Sequence, residues 1–191
     1  LLFTLPIMLL VALIVRLDTP GPILFFQDRM SRSHIKPGRE LALRTDIRPP
    51  VGGYEADTLY FVPTTFRFIK FRTMYVDAKE RFPHLYDYSY MQANHDGMYR
   101  LREDPRVTPI GRRLRELTLD ELPNFWNVLS GDMRLVGPRP EVPYVMSAYS
   151  PEMMIKFTVK PGITGLAQTN GRSRLSLQDV LYYDLQYIQE C

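Results

Sequence analysis

Residues 1–15 of this chain carry no charge and are almost wholly apolar, interrupted only by Thr4 and Pro6 and closed by Arg16 and Asp18. Such a run needs cover from a protein core or from lipid, because apolar surface left in water forfeits the main favourable term in folding. As a helix it would reach roughly 22 Å at about 1.5 Å per residue, short of the roughly 30 Å hydrocarbon core that a spanning helix crosses. A simple span is therefore unsupported by this run. Pro6 removes a backbone donor and kinks a helix that contains it. Two readings stand: a bent segment that dips into one leaflet and returns, or a helix buried in a soluble core. A signal peptide fits poorly, with no basic stretch before the run and no A-x-A-like site after it.

The remaining arithmetic narrows the class. With 191 residues, 45% hydrophobic and 24% charged, the chain has the size and balance of one globular domain, which excludes collagen-like, wholly disordered and multi-span membrane proteins. It opens at Leu1 and stops at Cys191 inside a helical pattern, so both ends read as cut from a longer chain. One cysteine and three histidines (His34, His84, His95) exclude a disulfide framework and a Cys- or His-based zinc site. Any metal must be held by oxygen. The 24 Lys and Arg exceed the 21 Asp and Glu by only three, yet the pI is near 9.0. That balance points to a local anion site rather than to a general polyanion binder, and a nucleic-acid partner is not expected.

The predicted fold class is α/β in the α+β sense: a helix-rich single domain with a small sheet, no doubly wound nucleotide fold, and a membrane-embedded helix at the start. The expected organisation is a membrane segment over residues 1–16 and a catalytic domain over 17–191, with an irregular inserted loop at about 30–63 rich in Ser, Arg, Pro and Gly. Residues 23–27 and 66–72 read as strands, the second with its basic residues along one face. Residues 76–82 read as a helix, 117–131 as a helix stopped by Gly131, and 177–190 as an amphipathic helix interrupted by Asp184.

Chemistry concentrates after Asp104. Arg106, Arg112, Arg113 and Arg115 lie in a segment with no acid from Pro105 through Arg115. On a helix Arg112 and Arg115 share a face that could grip a phosphate, or be no more than a solvated surface. The adjacent pair Asp120-Glu121 falls at the predicted start of the next helix, framed either by Thr118 as N-cap with Glu121 completing a capping box or by Asp120 as N-cap. Capping is the bland reading. The functional one is an ionised oxygen nucleophile beside a hard-metal ligand, with Asp120 kept ionised by the helix dipole and the arginines. Pro138 and Pro140 fix the loop that carries Arg139, as a phosphate clamp or as a surface turn. Residues 160–172, with three glycines, Lys160 and Arg172, could wrap an anionic or sugar ligand, but match neither the P-loop nor the dinucleotide fingerprint.

The run Leu119-Asp120-Glu121-Leu122-Pro123-Asn124-Phe125-Trp126-Asn127-Val128-Leu129, followed by Gly131-Asp132-Met133 and Val136-Gly137-Pro138-Arg139-Pro140, closely resembles the bacterial sugar transferase family, the monotopic phosphoglycosyl transferases. The resemblance extends over nearly the whole chain. It takes in the apolar opening, Leu17-Asp18-Thr19-Pro20-Gly21-Pro22, Lys70-Phe71-Arg72-Thr73-Met74, the Arg-rich helix, Pro161-Gly162-Ile163-Thr164-Gly165 and Asn170-Gly171-Arg172.

That resemblance implies an enzyme that moves a sugar-1-phosphate from a UDP-sugar to a polyprenyl (undecaprenyl) phosphate, releasing UMP, with Mg²⁺, in the synthesis of a bacterial exopolysaccharide or another envelope glycan. It implies Asp120 as the nucleophile of a covalent phosphosugar intermediate and Glu121 as the Mg²⁺ ligand. Lys70 and Arg72 would stand near the carboxylates; Arg112, Arg115, Arg139 and Arg172 would meet the substrate, with Asp184 a more distant site acid. The opening would be a re-entrant helix in the bacterial inner membrane, touching its lipids, with the active site on the cytoplasmic face; a homo-oligomer is compatible with this. Leu5-Pro6 stands where the family often has Ser-Pro, so no hydroxyl is at hand for the carbonyls that a bend would free. A non-catalytic membrane-binding scaffold would show lipid binding independent of Asp120 and Mg²⁺. A soluble nucleotide-sugar hydrolase would need no polyprenyl acceptor.

Overall fold

A computed structural model of the chain describes residues 4–43, 50–86, 103–150, 153–171 and 174–190. The apolar opening forms helix α1, Leu5–Asp18, with Pro6 in its first turn. There the missing N–H would have had no intrahelical partner, so the described helix has no proline in its interior and no kink placed at Pro6. Val11 and Val15, one turn apart, are buried with Phe71 and Leu114, and Met8, Ala12, Ile23, Leu24, Ile110, Leu119 and Leu122 pack around them. The opposite side leaves Leu9, Leu10, Leu13 and Leu17 exposed. Among the described residues no helix is long and apolar enough to cross a membrane.

The end of α1 is held by Arg72, whose Nη2 donates to Thr19 O at 2.6 Å and to Val15 O at 3.3 Å while Nη1 donates to Pro20 O at 2.5 Å. A guanidinium at a helix C-terminus meets the orphan carbonyls and the negative end of the dipole together. Gly21, at φ +124°, passes so close that a Cβ would come within 2.5 Å of Arg72 Nη1. The side chain expected beside the carboxylates thus serves the membrane-like helix instead.

Among the described residues the small sheet is three separate two-stranded pieces. Strands β1 (Leu24–Met30) and β4 (Thr65–Phe71) pair antiparallel, with Phe25 opposite Lys70, Gln27 opposite Phe68 and Arg29 opposite Phe66. Facing residues share a side of the sheet, so Arg29 and Lys70 lie on one face and Arg67 on the other. There Arg67 sits over the Phe26 ring, its Cζ 4.1 Å from the centroid, and the basic residues of β4 do not line a single face. The stretch expected to be irregular contains β2 (His34–Pro37), the short helix α2 (Gly38–Leu41) and β3 (Leu59–Val62). β2 and β3 pair antiparallel, Ile35 opposite Phe61. The apolar run Leu59-Tyr60-Phe61-Val62 supplies the strand character that the surrounding Ser, Pro and Gly hide.

Between β4 and the site the chain forms α3 (Ala78–Arg81), a 3-10 turn (Pro83–Tyr86) and α4 (Pro109–Glu116). Thr108 caps α4, accepting from Gly111 N at 2.9 Å. The predicted helix over 117–131 is in fact two pieces, a 3-10 turn (Leu119–Glu121) and α5 (Asn124–Leu129), separated at Pro123. Gly131 follows the end of α5 at φ +82°, the left-handed position that glycine fills at helix ends. α5 is fastened to the open edge of β4 by Asn127, which accepts from Ile69 N at 3.2 Å and donates to Arg67 O at 2.9 Å. Its carboxamide takes the place of a neighbouring strand. The rest comprises β5 (Arg134–Val136), 3-10 turns at Pro143–Ala148 and Met153–Thr158, β6 (Gly162–Thr164) parallel to β5, α6 (Leu166–Thr169) and α7 (Leu177–Glu190).

Candidate active site

The face of β4 that carries Phe66, Phe68 and Lys70 is covered at one end by Met133, Val128 and Ile163. At its other end Lys70 is half-buried, with Nζ 5.2 Å from the centre of the Phe25 ring. Burial, joined by the charges of Arg115, Arg29 and Arg139 and opposed by Asp120, pushes the Lys70 ammonium down to about 8. Arg29, across the same face, donates from Nη1 to Pro140 O at 3.1 Å and from Nη2 to Gln27 Oε1 at 2.8 Å.

The two acids arrive through a sharp turn. Thr118, at φ +59° and ψ +19°, is the one non-glycine residue of the described chain in the left-handed region. Its side chain makes no cap bond, and Asp120 lies inside the 3-10 turn rather than at a helix N-cap, so neither capping frame is realised. Such strain, two residues before a charged pair, is of the kind found at functional turns. Asp120 is 6% exposed. Burial pushes its carboxyl above its ordinary value, with Glu121 acting the same way and Lys70 and Arg115 countering. No long helix starts there to supply a dipole, and burial outweighs the neighbouring cations, so the Asp120 carboxyl is shifted up rather than held down. Glu121 accepts from Arg139 Nη2 at 3.1 Å in a partly buried ion pair.

Of the other expected site residues, Arg115 reaches in from α4, donating from Nε to Thr73 Oγ1 at 2.8 Å, and Asp120 acts on its charge. Arg112 is exposed on the surface of α4. Two arginines of this segment are paired with acids just outside it: Arg106 forms a two-pronged pair with Asp104, and Arg113 lies 3.4 Å from Glu116. Arg72 holds the end of α1, as described. Asp184 is ion-paired elsewhere, its Oδ2 2.9 Å from Lys156 Nζ, with Glu141 as the other charged neighbour. Arg172 lies outside the described residues.

Two of the three glycines in residues 160–172, Gly162 and Gly165, serve close packing rather than an open loop. An added Cβ on Gly162 would lie 2.2 Å from Gly137 N, and one on Gly165 would lie 2.3 Å from Gly137 O. They permit backbone to pack on backbone where β6 meets the loop leading to Arg139, and Gly162 N donates to Pro138 O at 2.9 Å. Lys160 is occupied as well, donating to Gly131 O at 2.6 Å. Arg139 is thus carried on a loop fixed by two prolines and a close glycine contact.

Arg29 and Asn124 are the residues that sequence reasoning missed. Ending the first strand at Gln27 hides Arg29, although two more residues of alternation would place it on the Lys70 face. Asn124 has no textual signal beyond its place after Pro123.

The assembled site holds two adjacent carboxylates, Lys70, Arg115 and Arg139, with Arg29 behind them. Among the described residues no group of three His, Cys, Asp or Glu is placed to hold a metal ion. Mg²⁺ is commonly held by only one or two carboxylates with substrate phosphates completing its shell, so the Asp120-Glu121 pair fits that ion when a phosphate ligand is present.

The chain belongs to the bacterial sugar transferase family, whose model matches residues 58–191. It is similar to a UDP-galactose-lipid carrier transferase of Erwinia amylovora, 40% identical over 125 residues, which is 65% of this chain and 26% of that protein. An undecaprenyl-phosphate glucose phosphotransferase of Komagataeibacter xylinus is 35% identical over 195 aligned positions, covering 96% of this chain and 29% of the relative. A UDP-glucose:undecaprenyl-phosphate glucose-1-phosphate transferase of Caulobacter vibrioides is 36% identical over 169 residues, 87% of this chain and 47% of the relative. The chain spans between about a quarter and a half of the length of these relatives.

Proposed function

We propose that this chain is the catalytic region of a phosphoglycosyl transferase that moves a sugar-1-phosphate from a UDP-sugar to a polyprenyl phosphate, as the names of its relatives suggest. The observation that carries the reading is the burial of Asp120 within electrostatic reach of Lys70 and Arg115 while Glu121 is held by Arg139. A carboxylate buried among cations is a poor surface group and a good anionic nucleophile once phosphates enter.

In the first half-reaction an Asp120 carboxylate oxygen attacks the phosphorus that bears the sugar. The bond from that phosphorus to the bridging oxygen breaks, and UMP leaves with the electron pair. In the second, a phosphate oxygen of the polyprenyl acceptor attacks the same phosphorus, and the Asp120 carboxylate departs. Lys70, Arg115 and Arg139 offset the charge that gathers on the phosphoryl oxygens. Mg²⁺ held by Glu121 would supply further charge neutralisation on the diphosphate. The water-soluble donor and the lipid acceptor then need not be bound together.

Membrane contact belongs to the same proposal. The outer side of α1 presents Leu9, Leu10, Leu13 and Leu17, and its 14 residues reach about 21 Å, enough to enter one leaflet without crossing both. The experiment is UMP release from a panel of UDP-sugars with Mg²⁺, with and without polyprenyl phosphate, beside Asp120→Asn. Release that requires acceptor, metal and Asp120 supports the transferase. Release without acceptor identifies a hydrolase.

A further inference from the structure

Behind the Glu121–Arg139 pair lies a cavity of about 10 Å³, lined by Arg29, Phe68, Glu121, Asn124, Met133 and Arg139 among others. Asn124 begins α5 and is 1% exposed, yet among the described residues neither its Nδ2 nor its Oδ1 has a hydrogen-bond partner. Arg29 Nε is buried and unpartnered in the same way. Asn127, one turn further along α5 and equally buried, has both amide atoms bonded. A buried polar group left without a partner is costly, so three such atoms on two residues that line one cavity call for a shared ligand.

Size and chemistry define it. A cavity of this volume is at the lower limit for one water-sized group, and excludes a sugar ring or a whole phosphate. Asn124 offers a donor and an acceptor, Arg29 a donor, and Glu121 an acceptor. A bare phosphate oxygen only accepts and would leave Asn124 Oδ1 unpaired. A metal cation would face two guanidinium groups. The matching ligand both donates and accepts.

We infer that this cavity is a binding site for a single hydroxyl-type oxygen, held by Asn124 and Arg29 and bordering Glu121. Its source is an ordered water or a hydroxyl of the donor sugar; only the second source rests on the proposed transferase reading.

The test is a pair of crystal structures of the full chain in detergent, one free and one soaked with UDP-glucose. The expected result in the free protein is one oxygen within hydrogen-bond distance of both the Asn124 amide and Arg29 Nε. If it stays in place when the donor binds, water is the ligand; replacement by a sugar oxygen assigns the hydroxyl. A cavity empty in both structures, with the Asn124 amide turned to a protein partner, overturns the inference. A donor that fails to bind counts against the transferase and leaves the free-protein result intact. Asn124→Leu is expected to lose the oxygen without lowering the melting temperature, since it removes the unpaired atoms at similar volume. An oxygen retained at the same place in that variant also overturns the site. If Asn124→Leu does not fold, Asn124→Ser takes its place, with a second oxygen expected where the amide stood.

Discussion

Arg139 Nη2 and Glu121 Oε1 lie 3.1 Å apart, joining the Pro138–Pro140 loop to the turn that carries both acids. The pair is only partly buried, so its own contribution to stability is small. Its consequence is positional: whatever phosphate or metal enters must share Glu121 with a guanidinium already there. Arg139→Ala is expected to lower kcat/KM by an amount corresponding to about 2–4 kcal/mol, the scale for losing one charge-stabilising donor. Steady-state UMP release checks it, and unchanged kinetics would make the loop structural.

Asp120→Asn removes the attacking oxygen's charge from a buried position where that charge is already disfavoured. Turnover is expected to vanish while the melting temperature stays near that of the parent chain. Trapping with radiolabelled donor should leave no phosphosugar on the variant protein. Substantial residual turnover would remove Asp120 from the nucleophile role.

The pH profile follows from the opposed shifts of Asp120 and Lys70. Activity is expected to rise as the raised Asp120 carboxyl ionises and to fall as Lys70 loses its proton near pH 8. Lys70→Arg, charged throughout this range, should move the alkaline fall upward. An alkaline limb unchanged in that variant assigns it to another group. For the fold the sign is the reverse of a salt bridge. The unfolded chain holds the Lys70 proton up to 10.5 and the folded one only to about 8, so this group makes stability rise with pH across that interval.

Arg72→Met strips donors from Val15, Thr19 and Pro20 carbonyls at the end of α1. A loss of about 2–4 kcal/mol is expected from removing charged hydrogen bonds and leaving carbonyls unsatisfied. Thermal unfolding checks it, with Arg72→Lys recovering part of the loss. A variant of full stability and no turnover would return Arg72 to the catalytic site.

Much of this was legible in the sequence because local rules suffice there. The first strand, the Phe66–Phe71 strand, the arginine-bearing helix and the last helix all follow period or composition, and Pro138 and Pro140 announce the stiff loop for Arg139. The misplaced parts share a physical cause. Arg72 has the same alternation as Lys70, but the strand ends at Phe71, and its guanidinium turns to carbonyls more than fifty residues earlier. Thr118 reads as an N-cap, but at positive φ its side chain caps nothing, and the helix expected after it is split at Pro123. Gly162 and Gly165 read as ligand-binding freedom, whereas their absent side chains make room for Gly137. Asp184 carries no textual sign of its partner Lys156. Each outcome depends on a partner distant in sequence.

The asparagine bridge from α5 to β4 bears on error-proofing. A two-stranded ribbon is free to slip, and a slip of one residue would exchange its faces, sending Lys70 to the side where Arg67 now lies. Asn127 grips the carbonyl and the amide of Arg67 and Ile69, which recur only every second residue along the strand. It acts as a ratchet tooth: β4 can seat in one phase, the phase in which its ammonium meets the turn that begins three residues before Leu122. The same tooth occupies an edge that would otherwise invite a foreign strand.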